Sequence, residues 1–347
     1  MIKRWLFLGC LIAWMSFGKG FSQDVHFSQT DFSPLTLNPA LAGASATFNG
    51  VAMYRSQYGS FASPYKTFLG SFDGRLSAGV KNSSGILGGG LSFFNDRMGD
   101  GFFNQTTIGV NLSYSLLVSR FNRVAVGMNS TFGQCAANPT VGQWGSQFDG
   151  LTYNPAIPSG ENFYQQSFSY FDVGLGAVYT YQTDVANITN VADKGFSVGF
   201  AAYHVNNPRY SFYNSSIQNL STRYSLFANG NIGINSTNGI LQPAIYFQRQ
   251  KKSNELLYGV SYKQIIQKAS TETDRIKEIA FSLGLFSRLR DAIVIKSMVF
   301  YGPFSAGFAY DINVSRLSLV SNFKGGVEMF VRYNVNTIQG KKIRVRS

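Results

Sequence analysis

The stretch 107-TIGVNLSYSLLVSRFNRVAVGMNSTF-132 decides the fold. Ile108, Val110, Leu112, Tyr114, Leu116 and Val118 alternate with Thr107, Gly109, Asn111, Ser113, Ser115 and Leu117. After a short turn holding Arg120, Asn122 and Arg123, the alternation resumes. Val124, Val126, Met128, Ser130 and Phe132 now stand against Ala125, Gly127, Asn129, Thr131 and Gly133. A period of two is the signature of a strand, and two such runs about a short turn make a hairpin. The pattern fits a half-buried sheet of a soluble protein or a membrane barrel. A soluble sheet carries mainly charge on its polar face, whereas this face is built of Gly, Ser, Thr and Asn, as suits a crowded or watery lumen. In lipid every backbone donor and acceptor must be paired within the protein, so a strand-built membrane protein closes on itself. The expected fold is therefore all-β: a transmembrane, antiparallel outer-membrane β-barrel.

Outward from this hairpin the same alternation gives about fourteen strands. They are expected at 48–60, 65–75, 85–95, 103–118, 121–133, 168–182, 194–205, 222–234, 239–250, 254–267, 277–288, 292–301, 303–314 and 323–335. Most meet the roughly nine to eleven residues that a tilted strand needs to cross a bilayer. Near the end, Phe304, Ala306, Phe308, Tyr310 and Ile312 face away from Ser305, Gly307, Ala309, Asp311 and Asn313. In the last strand Val327, Met329, Val331, Tyr333 and Val335 oppose Glu328, Arg332, Asn334 and Asn336. An arginine facing lipid at midplane costs about 2 to 4 kcal/mol, which directs Arg332 to the lumen. Tyr333 is followed by a tail rather than by a terminal aromatic residue.

Composition agrees. Only 14% of the 347 residues are charged, against about 25% in soluble domains, so part of the surface is not in water. The 36 glycines, 19 tyrosines and 31 phenylalanines suit twisted strands and interfacial girdles. Residues 1–22 read as a signal peptide: Lys3 and Arg4 precede an apolar run from Trp5 to Phe17, and Gly20 and Ser22 supply small residues before a cut at Gln23. The mature chain then keeps Cys135 alone, so it forms no internal disulfide. It carries 27 basic residues against 17 acidic ones, a net charge of +10. Scattered lumen and turn charges are the plainer account of that excess and attraction to an anionic membrane surface is the alternative; outer-membrane lipid is an expected partner, and no nucleic acid is. No mature segment offers 18 successive apolar residues, so no transmembrane helix is expected.

Four regions follow: a signal peptide at 1–22, an N-terminal periplasmic or plug segment at 23–47, the barrel at 48–336 and a basic tail at 337–347. An even strand number puts both barrel ends in the periplasm. The longest connections, 134–167 and 206–221, then face outward; both are rich in Asn, Ser, Tyr and Pro. Long loops of this kind are frequent carriers of function.

Chemistry is scarce. The mature chain has two histidines, His26 and His204, and neither belongs to a metal or nucleophile motif. His204 ends the strand of Phe196, Val198, Phe200 and Ala202 on its apolar face, and reads as a packed or interfacial histidine. Gly88, Gly89 and Gly90 fall inside a strand pattern, not between a strand and a helix, so they indicate close packing and not a phosphate loop. No catalytic, cofactor-binding or metal-binding residue is nominated, and the protein is expected not to be an enzyme.

One resemblance runs through nearly the whole mature chain. Phe27, Ser28 and Gln29, then Leu37, Asn38, Pro39, Ala40, Leu41, Ala42 and Gly43, closely resemble the opening motif of the PorP/SprF family of Bacteroidetes type IX secretion proteins. Tyr54, Arg55, Ser56 and Gln57 resemble its Tyr-Arg-Asn-Gln element, and His204 to Pro208 its His-Leu-X-X-Pro element. Tyr310, Asp311 and Ile312, and Gly325 to Glu328, resemble the two elements near its end. Tyr58 stands where the family often has Trp, and Gly326 and Val327 replace a usual Ser-His. The resemblance implies a structural or docking role for Asn38, Pro39, Ala40, Gly43, Tyr54, Arg55, Gln57, His204, Pro208, Tyr310, Asp311 and Glu328. It also implies an outer-membrane barrel of a Gram-negative, Bacteroidetes-like cell that works with the type IX machinery. In gliding species such barrels serve export and cell-surface attachment of large adhesins. Cargo would be bound by its C-terminal sorting domain through the outer loops, while the periplasmic ends and N-terminal segment dock onto the machinery. A passive porin or small-solute channel is the alternative.

Overall fold

Strands form here because β-branched and aromatic residues alternate with small polar ones, and a sheet with one face in lipid must close to satisfy its edges. A computed structural model describes residues 24, 26–44, 46–60, 63–76, 85–99, 103–138, 142–160, 166–183, 194–213, 218–234, 237–269 and 276–335. The expected signal peptide and basic tail lie outside the described residues. Fourteen strands follow in order: β1 (Phe48–Gln57), β2 (Tyr65–Arg75), β3 (Gly85–Met98), β4 (Phe103–Ser119), β5 (Asn122–Ala137), β6 (Ser167–Gln182) and β7 (Lys194–Tyr203). The second half comprises β8 (Arg223–Gly233), β9 (Gly239–Gln250), β10 (Ser253–Gln267), β11 (Ile279–Arg288), β12 (Ala292–Tyr301), β13 (Phe304–Asn313) and β14 (Lys324–Val335). Each pairs antiparallel with its neighbours, and β1 closes on β14 from Phe48 opposite Val335 to Ser56 opposite Val327. Among the described residues no helix is long and apolar enough to cross a membrane.

The alternation places the faces as expected. Ile108, Val110, Leu112, Tyr114, Leu116 and Val118 of β4 are exposed outward, as are Val124, Val126, Met128 and Phe132 of β5. Asn111, Ser113, Ser115, Ala125 and Asn129 are buried inside. Differences from the expected strands are confined to ends. β1 stops at Gln57 and β7 at Tyr203 because Tyr58 (φ 64°) and His204 (φ 58°) adopt left-handed backbone, which a ladder does not continue. β5 runs on to Ala137, through Gln134 and Cys135.

Two rims result. At the terminal rim β1 begins and β14 ends; at the loop rim lie the longest connections, between β5 and β6 and between β7 and β8. Residues 24, 26–44 and 46 occupy the lumen. Asp24 sits at the loop rim against His204, Arg223 and Gln250. The segment then descends through Phe32, stacked on Phe330 of β14 with ring centroids 3.9 Å apart, and through Leu35, whose carbonyl accepts from the Tyr203 hydroxyl. It reaches β2 where Gly43 donates to Asp73, and turns into β1.

The lumen is fitted to this path. A Cβ on Gly88 of β3 would collide with the Ala42 carbonyl, one on Gly127 of β5 with the Ala40 backbone, and one on Gly176 of β6 with Asn38. Close packing is thus the role of the β3 glycine run at Gly88 and Gly90, the latter lying against Leu35. Across the lumen the wall is bulky instead: Phe227, Tyr246, Leu257, Phe286 and Val294 form one apolar cluster with Leu37 and Ala40. Small residues stand where the segment runs close, and large ones fill the space it leaves.

Candidate functional site

Near the loop rim, alternate residues of four strands meet the inner segment. Arg55 comes from the end of β1, Arg288 from the end of β11, Asp311 from β13 and Glu328 from β14; all are at most 4% exposed. Asp311 lies at an irregularity of β13 between Tyr310 and Ile312, and the absence of a side chain on Gly325 leaves room for its carbonyl. The Glu328 carboxylate accepts from two successive backbone amides of the inner segment, Ser28 N to Oε2 at 2.8 Å and Gln29 N to Oε1 at 2.7 Å. Arg55 Nη1 donates to Glu328 Oε2 at 3.1 Å and to Ser28 Oγ at 3.0 Å, and Nη2 donates to Asp311 Oδ2 at 2.9 Å. Arg288 adds Nη1 to Asp311 at 3.1 Å and Nη2 to Ser28 Oγ at 2.6 Å, while Ser28 Oγ donates to Asp311 Oδ1 at 2.7 Å. With its carboxamide oxygen turned toward Arg55, Gln57 accepts from Nε at 3.0 Å. Arg288 also lies 3.2 Å from Asp291 and 3.9 Å from Glu255, so both buried cations are met by carboxylates around one buried serine, and the network binds the segment to both sides of the barrel seam.

A second constellation lies beside it. His204 Nε2 is 2.7 Å from Asp24 Oδ2 and Nδ1 is 2.9 Å from Asp172 Oδ2; Arg223 Nε is 3.2 Å from Asp24. Burial opposes a charged imidazole, but the Asp24 and Asp172 carboxylates prevail and hold His204 up to about 9. Burial likewise opposes the Asp24 carboxylate, which His204 and Arg223 nonetheless hold well below the usual range. An imidazole engaged by a carboxylate at each nitrogen stays protonated at neutral pH and is unavailable as a base. His204 therefore does not lie on the apolar outer face; the left-handed turn at this residue rotates it from the strand's phase into the lumen.

The remaining motif positions divide. Asn38 Nδ2 donates to the Ala177 carbonyl of β6 at 3.1 Å and the Phe200 carbonyl of β7 at 2.9 Å, while Oδ1 accepts from Ala40 N. Pro39 and Ala40 form the short turn that packs on Gly127. Gly43 (φ 65°) turns the chain toward Asp73, which also accepts from Asn49 at 2.6 Å. Tyr54 points outward, opposite Phe68 and Met329. Tyr310 occupies the outward phase of β13, and Pro208 lies in the β7–β8 connection, bonded to Leu220. The structure thus unites Arg55, Gln57, Asp311 and Glu328, strings Asn38 to Gly43 along the wall, and leaves Tyr54, Tyr310 and Pro208 apart. Reading the sequence missed Arg288, Asp24, Asp172 and Lys296. Lys296 is fully buried, its Nζ 3.5 Å from Asp31 and 3.7 Å from the centre of the Phe286 ring. Its signal was present: it stands at an inward position of β12, between Val294 and Met298.

At the loop rim, Tyr210 and Phe212 of the β7–β8 connection fold back onto Phe168, Tyr170 and Cys135 and cover the lumen above β4–β6. Beneath them a cavity of about 120 Å³ remains beside Phe27 and Leu35, lined by Gln105, Asn129, Thr131 and Tyr170. The β5–β6 connection instead projects. A bridge between Phe148 and Tyr153 and an Asp149 carboxylate accepting from Leu151 and Thr152 shape a tip on which Leu151 is 89% exposed. Among the described residues no group of three or more His, Cys, Asp or Glu is arranged to hold a metal ion.

Residues 19–333 match the family model described as type IX secretion system membrane protein PorP/SprF. No curated protein matches the chain. Among solved structures the chain is similar to a deletion mutant of the TodX monoaromatic hydrocarbon channel, at 9% identity over 87% of this chain and 94% of that one (TM-score 0.47). It is also similar to the β domain of the Bordetella autotransporter BrkA, at 12% identity over 83% and 99% (TM-score 0.37). BamA from Haemophilus ducreyi, lacking POTRA domains 1–3, is similar at 8% identity over 83% and 70% (TM-score 0.43).

Proposed function

Because the chain belongs to the PorP/SprF family of type IX secretion system membrane proteins, we propose that it is an outer-membrane barrel which assists export and surface attachment of cargo without catalysing a reaction. The observation that carries this reading is the occupied lumen: residues 26–44 are tied to the wall by the Ser28–Arg55–Asp311–Glu328 network and by Asn38. A cylinder filled in this way acts through its rims. With the terminal rim in the periplasm, the loop rim faces outward and offers the projecting tip of Phe148, Leu151 and Tyr153 to a cargo's C-terminal sorting domain. An exposed apolar cluster on a shaped loop is the ordinary chemistry of a protein contact. The described part of the N-terminal segment is buried, so docking onto the secretion machinery falls to the terminal rim.

The test is deletion of the gene with quantitative proteomics of cell surface and medium. Loss of one or a few large proteins from the surface is the expected result; an unchanged secretome rejects the reading. Replacing residues 142–160 by a short turn tests the loop assignment, and cargo retained in full would remove it. A passive channel is the second reading, favoured by a polar vestibule of about 240 Å³ at the terminal rim between Thr180, Lys194, Asn231, Gln242 and Lys263. The occupied lumen above it weighs against that reading.

A further inference from the structure

Lys66 of β2 and Arg97 of β3 stand directly opposite each other in the ladder near the loop rim. Both are exposed, and both lie on the outward phase of their strands, with Phe68 and Phe93. Directly opposed residues of an antiparallel pair hold their Cβ atoms about 4.5–5.5 Å apart, and like charges so placed repel. Nothing local relieves this pair. Among the described residues neither cation has an ion pair or hydrogen bond, and no carboxylate shares the outward face of β1–β4. The acid beside Arg97, Asp96, points the other way and accepts from Thr67 inside the barrel at 2.6 Å.

The surroundings supply both halves of an amphiphile's needs. Arg97 is flanked across the next ladder by Asn104, and Lys66 by Ser56. Asn95 joins Asn104 and Thr106 by hydrogen bonds of 2.9 and 2.8 Å, so this row is polar. One step toward the middle of the barrel wall, the exposed rings of Phe68 and Phe93 lie 6.2 Å apart, and the apolar band of Leu91 and Ile108 follows. A guanidinium and an ammonium side by side chelate a phosphate through charge-assisted hydrogen bonds, and paired rings below it take acyl chains.

We propose that Lys66 and Arg97 form a site on the outside of the barrel for the phosphate of a membrane lipid headgroup, with its chains on Phe68 and Phe93. The site depends on the barrel lying in a bilayer and not on any cargo, so its failure leaves the secretion reading untouched. The experiment uses the full mature chain in an uncharged detergent, with diphosphorylated lipid A as probe and native mass spectrometry as readout. Wild type retains the lipid, and the Lys66→Gln/Arg97→Gln double variant binds it about 30-fold more weakly, as removal of two surface cations implies. Arg97→Glu supplies the missing counter-charge from within; it loses the lipid equally while unfolding at or above the wild-type temperature, which keeps the test valid if the double variant fails to fold. Millimolar inorganic phosphate leaves the lipid in place. Equal retention by wild type and variants, or displacement by inorganic phosphate alone, overturns the proposal.

Discussion

Glu328 shows how much can rest on one side chain: its two oxygens accept both amides of the Ser28–Gln29 turn and one guanidinium nitrogen. Glu328→Gln keeps the shape but removes the charge that pairs with Arg55. Breaking a buried pair from one side costs about 3 to 5 kcal/mol. Thermal unfolding followed by circular dichroism in detergent should show that loss, and an unchanged midpoint would mean that the network contributes nothing to the fold. His204 sets a pH window at the same scale. Its pKa is raised from 6.5 to about 9, so its contribution is whole below pH 6.5 and disappears as pH rises through about 9. Asp24 is lowered from 3.8, so its contribution is present above that pH and disappears on acidification. Docking of the segment end is therefore firmest between about pH 4 and 6.5 and weakens from there to about pH 9, and His204→Asn should flatten that alkaline limb, a difference of roughly 3 kcal/mol. Parallel alkaline limbs for the two proteins would refute the ion-pair assignment.

At the scale of elements the fit between the inner segment and the wall can be tested by adding volume. Gly127→Leu drives a side chain into the backbone of Pro39 and Ala40, and overpacking of this kind costs about 1 to 3 kcal/mol or more. The barrel ladder does not involve that side chain, so the segment should be displaced while the strands persist. Limited proteolysis should then cut within residues 26–44 in the variant and spare them in wild type; equal protection would place the segment elsewhere. The strands were readable because lipid outside and a crowded lumen inside write a period of two into each of them, as in Val124 to Gly133. The path of residues 26–44 was not, because it is set by contacts between residues up to 300 positions apart, such as Ser28 with Glu328. Asp311 and Arg332 were readable as inward charges from phase alone, and Lys296 could have been. The direction of His204 escaped because one left-handed residue after β7 breaks the phase on which the reading depended.

For the whole molecule, the decisive property is whether a closed cylinder or a conduit crosses the membrane. Fourteen strands enclose a space wide enough for solute when empty, and here that space holds a segment running from the loop rim to the terminal rim. The polar vestibule at the terminal rim and the cavity beneath Tyr170 are separated by Leu37, Ala40 and the bulky wall residues packed on them. Deleting residues 24–44 removes this partition but no strand. The shortened barrel should still close through the β1–β14 ladder, since none of its paired residues is lost. In planar bilayers the wild-type chain should hold the current at baseline, and the deletion variant should insert with stable, ohmic steps. Steps from wild type would make the protein a channel that the segment merely narrows, and the porin reading would then take precedence over a barrel that works by its rims. Silence from a deletion variant shown by circular dichroism to be folded would mean that the wall residues close the lumen unaided, and that the segment's ion-pair network serves the seam between β1 and β14 instead.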